Sequence, residues 1–166
     1  MTQRDIVATL CIIFFVLLVA VAVRSVKKRA QAQGPLALLD VDSLTGNEIA
    51  EASGFYVATT FADAPLSRLA DKRLLHRGKA RLSVLTDGLI IDRTGEPSIA
   101  IQASEIQFVG RASATIDRGV ENNGLMAITW NAGTVSLTTN LRLSREDDTQ
   151  ELLDLISKLA KKEAIA

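Results

Sequence analysis

Cysteine and histidine are almost missing from this chain. Each occurs once in 166 residues, as Cys11 and His76. A single cysteine excludes a disulfide within the chain and a cysteine-based metal site. A lone histidine leaves neither a histidine metal site nor a Ser-His-Asp triad with partners that can be named. His76 sits between Leu75 and Arg77 and reads as an exposed loop residue. An excess of either charge is missing too: 19 Lys and Arg balance 19 Asp and Glu. Nothing in the overall charge points to nucleic acid. No GxGxxG, GxxxxGK[ST] or GxSxG pattern occurs, so no phosphate loop or nucleophile elbow is announced. There is no internal repeat and no low-complexity tract. These absences predict a protein that is not an enzyme and carries no cofactor and no metal.

What is present begins with an uninterrupted apolar run. Ile6 to Val23 reads IVATLCIIFFVLLVAVAV, 18 residues without charge, Gly or Pro and with Thr9 as the only hydroxyl. At about 1.5 Å per residue such a helix is roughly 27 Å long, close to the hydrocarbon thickness of a bilayer. A soluble helix of this length normally keeps a polar face. The expectation is one transmembrane helix in contact with membrane lipid, with Cys11 inside it. Arg4 precedes the run, whereas Arg24, Lys27, Lys28 and Arg29 follow it. Basic residues on that side are unusual for a cleaved leader, so the segment is expected to remain as an anchor. They also act as a topology signal, placing the N-terminus outside and the long C-terminal part in the cytoplasm. A lone span has no second helix to line a pathway, so one copy is no transporter.

Thr2 and Asp5 have capping-box spacing before the run, and Gly34-Pro35 is a strong stop. This divides the chain into residues 1–33 as anchor with a basic juxtamembrane turn, 34–53 as linker, and 54–163 as domain. One short helical turn is expected in the linker near Asn47 to Ala52.

From Gly54 the hydrophobic period changes to two. Phe55 to Phe61 and Lys79 to Thr86 read as strands rich in β-branched or aromatic residues. Asp87-Gly88 predicts a tight hairpin of type I′ into Leu89 to Asp92. Thr94-Gly95-Glu96-Pro97 predicts the next turn, into Ser98 to Gln102. The fifth strand, from Ile106, is expected to bury Ile106, Phe108, Ala112, Ala114 and Ile116. Turns at Asn122-Asn123-Gly124 and Asn131-Ala132-Gly133 flank Leu125 to Trp130, with Trp130 in the core. In the seventh strand Val135, Leu137, Thr139, Leu141 and Leu143 alternate with Ser136, Thr138, Asn140 and Arg142, one buried face and one wet face. A helix closes the chain, with Ser144 as N-cap and Asp147 three residues on. Glu146, Asp147 and Asp148 begin it and Lys158, Lys161 and Lys162 end it, matching the helix dipole. Leu152, Leu153, Ile156 and Leu159 form the stripe that should pack on the sheet.

Seven antiparallel strands followed by one amphipathic helix resembles the pleckstrin-homology superfold. The resemblance implies a bent seven-stranded barrel with the helix plugging one end. The segments FYVATTFADAPLSRL and GRASATIDRGVENNGLMAITW are similar to a family of small actinobacterial membrane proteins with one N-terminal span and a PH-like domain. These are encoded among pyrimidine-biosynthesis genes and often labelled as transporters or export proteins. The resemblance implies no catalytic residue.

The connection after the first strand, SRLADKRLLHRGKAR, carries Arg68, Lys72, Arg73, Arg77, Lys79 and Arg81 against Asp71 alone. In eukaryotic PH domains the corresponding loop grips phosphoinositide headgroups, a likeness here of position and charge. These six residues are the candidate contact for anionic lipid or for an acidic protein surface. The expected function is therefore a membrane-anchored, non-enzymatic binding or scaffold module on the cytoplasmic face. The alternative is an accessory subunit of a transport or export complex.

Overall fold

Strand β1, Glu48–Phe61, organises the C-terminal domain because it serves two ladders. Its first part pairs antiparallel with β2, Gly78–Leu85, from Glu48↔Leu85 to Tyr56↔Gly78. Its second part pairs antiparallel with β7, Val135–Leu143, from Gly54↔Leu143 to Phe61↔Leu137. The ladders overlap only at Gly54 to Tyr56. There the backbones crowd: a Cβ on Gly54 would lie 2.4 Å from the Arg142 carbonyl oxygen, so only glycine fits.

The other strands extend these two ladders. They are β3, Gly88–Arg93, β4, Glu96–Gln102, β5, Ile106–Ala112, and β6, Leu125–Ala132. Together they form one antiparallel sheet of order β4-β3-β2-β1-β7-β6-β5. The computed structural model describes residues 3–32, 36–65, 69, 71–112, 124–144 and 146–165. Helices complete it: α1, Gln3–Ala32, α2, Lys72–Leu75, and α3, Glu146–Ile165.

Residues Met1–Pro35 and Leu36–Ala166 are two separate units. In the first, α1 covers the apolar run. Side chains in α1 are described for residues 11–25, a stretch shorter than the roughly 20 residues a crossing takes. Among the described residues, no helix is long and apolar enough to cross a membrane. The expected cap at Thr2 and the stop at Gly34-Pro35 lie outside the described residues.

In the second unit, Leu152, Leu153, Ile156 and Leu159 of α3 are buried with Leu82, Leu89, Ile91, Ile101, Met126, Ile128, Trp130, Leu137 and Leu141. The leucine and isoleucine stripe read from the sequence is the face that packs. Each such side chain contributes about 1.5–3 kcal/mol on burial. Inside the sheet a hydrogen-bond chain links the buried polar groups of Trp130, Thr139, Thr59 and Tyr56. The Trp130 indole N–H donates to Thr139 Oγ1 at 3.0 Å, and Thr139 Oγ1 lies 2.9 Å from Thr59 Oγ1. The Tyr56 phenol lies 2.8 Å from both Thr59 Oγ1 and the Leu74 carbonyl. A carbonyl only accepts, so the phenol proton goes to Leu74 and the Thr59 hydroxyl donates to the phenol. Burial pushes the Tyr56 phenol above its ordinary pKa, against the lowering effect of the Thr59 hydrogen bond and the Arg93 charge.

Several expectations need correction. The stretch Asn47 to Ala52 is no helical turn, because it enters the β1 ladder at Glu48. Its alternate residues Glu51 and Ser53 are exposed, which gives this half of β1 a polar appearance in sequence. The segment before it straps the domain. Leu39 bridges Ala100 on the edge strand β4, and Leu36 and Leu38 pack on the core. Asp87-Gly88 is not a type I′ turn. The last β2–β3 pair is Val84↔Leu89, leaving a wider connection. Its Asp87 carboxylate accepts the backbone N–H groups of Thr45 and Gly46, both at 2.8 Å. Among the described residues the positive-φ glycines are Gly95, at 81°, and Gly133, at 68°.

Phe108 is 65% exposed rather than buried, because a register shift between Ile106 and Phe108 breaks the alternation. Asn140, expected on the wet face, is buried between Ala58 and Ala127. Among the described residues the sheet does not close into a hydrogen-bonded barrel: β4 and β5 are its edges, joined through a 3-10 turn at Ala103–Glu105. The helix α3 packs on that turn, β5 and β7. Ala114, Ile116, Asn122 and Asn123 lie outside the described residues, as does the start of α3 that would show a cap from Ser144.

Candidate functional site

Of the six basic residues expected to form one patch, the four whose side chains are described fall into three environments. Arg68 lies outside the described residues, and the side chain of Lys72, in α2, is not described. Arg73 is held within its own turn. Its guanidinium meets the Asp71 carboxylate at 2.8 Å, and its backbone N–H donates to the same carboxylate, which caps α2. The Arg73 hydrogen bond holds the Asp71 carboxyl below the ordinary carboxylate value, and Asp71 in turn raises Arg73. Arg77 follows α2 and is exposed, as is His76.

Lys79 and Arg81 stand elsewhere, on the outer face of β2, in a groove of about 840 Å³ over β3, β2, β1 and β7. Sheet register builds its floor in two rows. In the first, Phe55 on β1 pairs with Lys79 on one side and Arg142 of β7 on the other. Thr94 continues this row, donating its backbone N–H to the Lys79 carbonyl at 3.1 Å. In the second, Arg81 pairs with both Ser53 and Asp92. Ser144 continues that row, its N–H donating to the Ser53 carbonyl at 3.0 Å. All eight residues line the groove and are exposed, while Ala52, Tyr56, Leu82, Ile91 and Leu141 between them point inward. Period two therefore sorts the groove from the core.

Charge is unequally balanced between the rows. Arg81 Nε lies 3.2 Å from Glu51, and Asp92 stands opposite. Among the described residues, Lys79 and Arg142 have no ion-pair partner. Between them Phe55 remains 39% exposed. The row thus offers two uncompensated cations on either side of an aromatic ring.

Beneath this face a further cation is structural. Arg93 is 5% exposed, with its guanidinium 4.8 Å from the centre of the Tyr56 ring. It donates to the carbonyls of Pro97, at 2.6 Å, His76, at 3.4 Å, and Arg73. With Tyr56 holding Leu74, it fastens the 71–77 segment to the sheet. Sequence reasoning missed Phe55, Arg142 and Arg93 as members of these sites. Arg142 was read as wet and Phe55 as part of a strand, but nothing local joins residues so far apart in the chain.

Of the expected topology residues, Arg24 is exposed on α1, and the side chains of Lys27, Lys28 and Arg29 are not described. Cys11 is exposed and unpaired. Among the described residues, no group of acidic, histidine or cysteine side chains is placed to hold a metal ion.

A family model described as Bacterial PH domain-like matches residues 35–157. No curated protein matches the chain.

Proposed function

The chain belongs to the bacterial PH domain-like family, and from that premise we infer a non-enzymatic binding module with the groove as its contact surface. PH-like domains commonly bind proteins or lipids and are generally not catalysts. The observation that carries the reading is the first row of the groove. Two cations with no ion-pair partner among the described residues and a half-exposed phenyl ring stand together on a face that also carries Arg81, Glu51 and Asp92. Such a surface suits a negatively charged contact, either an acidic protein face or an anionic lipid.

The module is anchored by α1 and faces the cytoplasm. Supporting this are the 18 uncharged residues from Ile6 to Val23 and the basic residues Arg24, Lys27, Lys28 and Arg29 that follow them. Tethering keeps the groove near the membrane at high effective concentration.

Two experiments test these statements. Protease applied to oriented membrane vesicles should cut residues 36–166 only when the cytoplasmic face is outward; cutting from the opposite face overturns the topology. A photo-crosslinking residue at Ser53 in the full chain should capture lipid or a discrete partner from membranes. Lys79→Glu with Arg142→Glu should abolish that capture, and undiminished capture would remove the groove from consideration.

A further inference from the structure

Resting on the reading of the groove as a contact surface, its dimensions narrow the partner. We propose that the row Lys79–Phe55–Arg142 docks one amphipathic α-helix of another protein, laid across the strands. That helix carries two acidic residues seven positions apart, with apolar residues between them.

The shape of the groove comes first. Besides Gly124, it is lined by residues 53–55, 79–81, 92–94 and 142–144, neighbouring segments of one sheet. With strands about 4.8 Å apart, the lining extends roughly 14 Å across the sheet. Along the strands it holds only two rows of outward side chains, roughly 7 Å apart. The backbone beneath is already spent, because β1 pairs with β2 and β7, and β2 with β3. An extended peptide laid on this face would bury N–H and C=O groups with nothing to bind. A helix brings its own backbone hydrogen bonds and presents side chains alone.

Charge spacing sets the register of that helix. Lys79 and Arg142 leave the sheet on either side of β1, roughly 10 Å from each other, with Phe55 midway. At about 1.5 Å rise per residue, helix positions i and i+7 share one face and lie roughly 10 Å apart, with i+3 and i+4 between them. Acids at i and i+7 therefore meet the two cations while apolar side chains at i+3 and i+4 cover the phenyl ring. That ring is 39% exposed, and half-buried Leu143 adds to the apolar lining. A single small anion placed midway would sit on the ring, whose face is itself negative. The second row has no such preference for acid. There Arg81 lies 3.2 Å from Glu51 and pairs across the ladder with Asp92. The helix α3 of a second copy is no candidate, since its apolar stripe is used in its own core.

The test uses a short labelled peptide and the full chain in phosphatidylcholine nanodiscs, followed by fluorescence anisotropy. The peptide has two glutamates seven positions apart, leucines at the third and fourth positions between them, and alanine and glutamine elsewhere. It should bind saturably. Moving the second glutamate to five positions from the first turns it away from the shared face, and a central proline breaks the helix; each should weaken binding about tenfold or more. Lys79→Gln and Arg142→Gln should each weaken it about tenfold. Lys79→Glu with Arg142→Glu should reject this peptide and take its counterpart with lysines in place of the glutamates. Lys161→Gln, a loss of charge on an exposed residue of α3, should leave binding unaltered. Equal binding of both glutamate spacings overturns the proposal, as does equal weakening by Lys161→Gln or no binding at all. If the crosslinker at Ser53 captures phosphatidylglycerol added to the discs while the peptide stays unbound, the occupant is lipid. The groove then remains a contact surface and the helix alone is discarded.

Discussion

The connection at 71–77 and the sheet face around Phe55 are both basic, and they differ in what the charge meets. In the connection, Arg73 is neutralised by Asp71, and its carbonyl is bound by the buried Arg93. On the sheet face, Lys79 and Arg142 find no acid among the described residues. A count of Lys and Arg along the chain ranks the connection first. For Arg73 the structure lowers that rank, because a cation already satisfied has little left to offer a ligand.

The sharpest way to break the comparison is to remove the cation most deeply committed to the fold. Arg93→Met should lower the unfolding free energy by about 3 kcal/mol in urea, because the part-buried carbonyls of Arg73 and Pro97 lose their shared charged donor. A loss below about 1 kcal/mol would show that the guanidinium is incidental. Next comes the interior chain. Thr139→Val leaves the Trp130 indole N–H unpaired in the core and should cost about 2 kcal/mol by the same measurement.

The groove should behave oppositely. Lys79→Glu with Arg142→Glu should change stability by no more than about 0.5 kcal/mol while abolishing capture through the crosslinker at Ser53. A stability loss as large as that of Thr139→Val would mean that these cations, too, belong to the fold. The smallest effect is titration of Asp71. Its folded pKa is depressed, so its contribution is present above the ordinary carboxylate value and is lost as pH falls through the folded value. The pair is largely solvent-screened, so Asp71→Asn should cost well under about 1 kcal/mol at neutral pH. The difference between variant and parent should vanish in strong acid. If it persists there, Arg73 is held by something other than the carboxylate.

Local periodicity made much of this domain legible. The seventh strand and the stripe Leu152, Leu153, Ile156 and Leu159 follow from period two and period 3.6. Phe108 and the first half of β1 did not, for different reasons. A one-residue register shift inverts every side chain beyond it, and Gly110 is the one hint in IQFVG of a bulge or close approach, without placing the shift between Ile106 and Phe108. Glu51 and Ser53 look like linker residues until β2 is placed beside them. Asp87 invited a local turn assignment, yet its carboxylate is spent on Thr45 and Gly46, some forty positions earlier in the chain. The groove was least legible of all, since Phe55, Lys79 and Arg142 become neighbours only through two ladders.

The strap at residues 36–47 has a mechanical consequence. Tension arriving along the chain from residue 35 does not load β1 at once. It must first lift Leu36 and Leu38 off the core, peel the Leu39–Ala100 bridge, and then pull Thr45 and Gly46 from Asp87. Those attachments give way in series, like stitches, while the two ladders of β1 stay in register. The groove is thus cushioned from a pull on the chain that precedes residue 36.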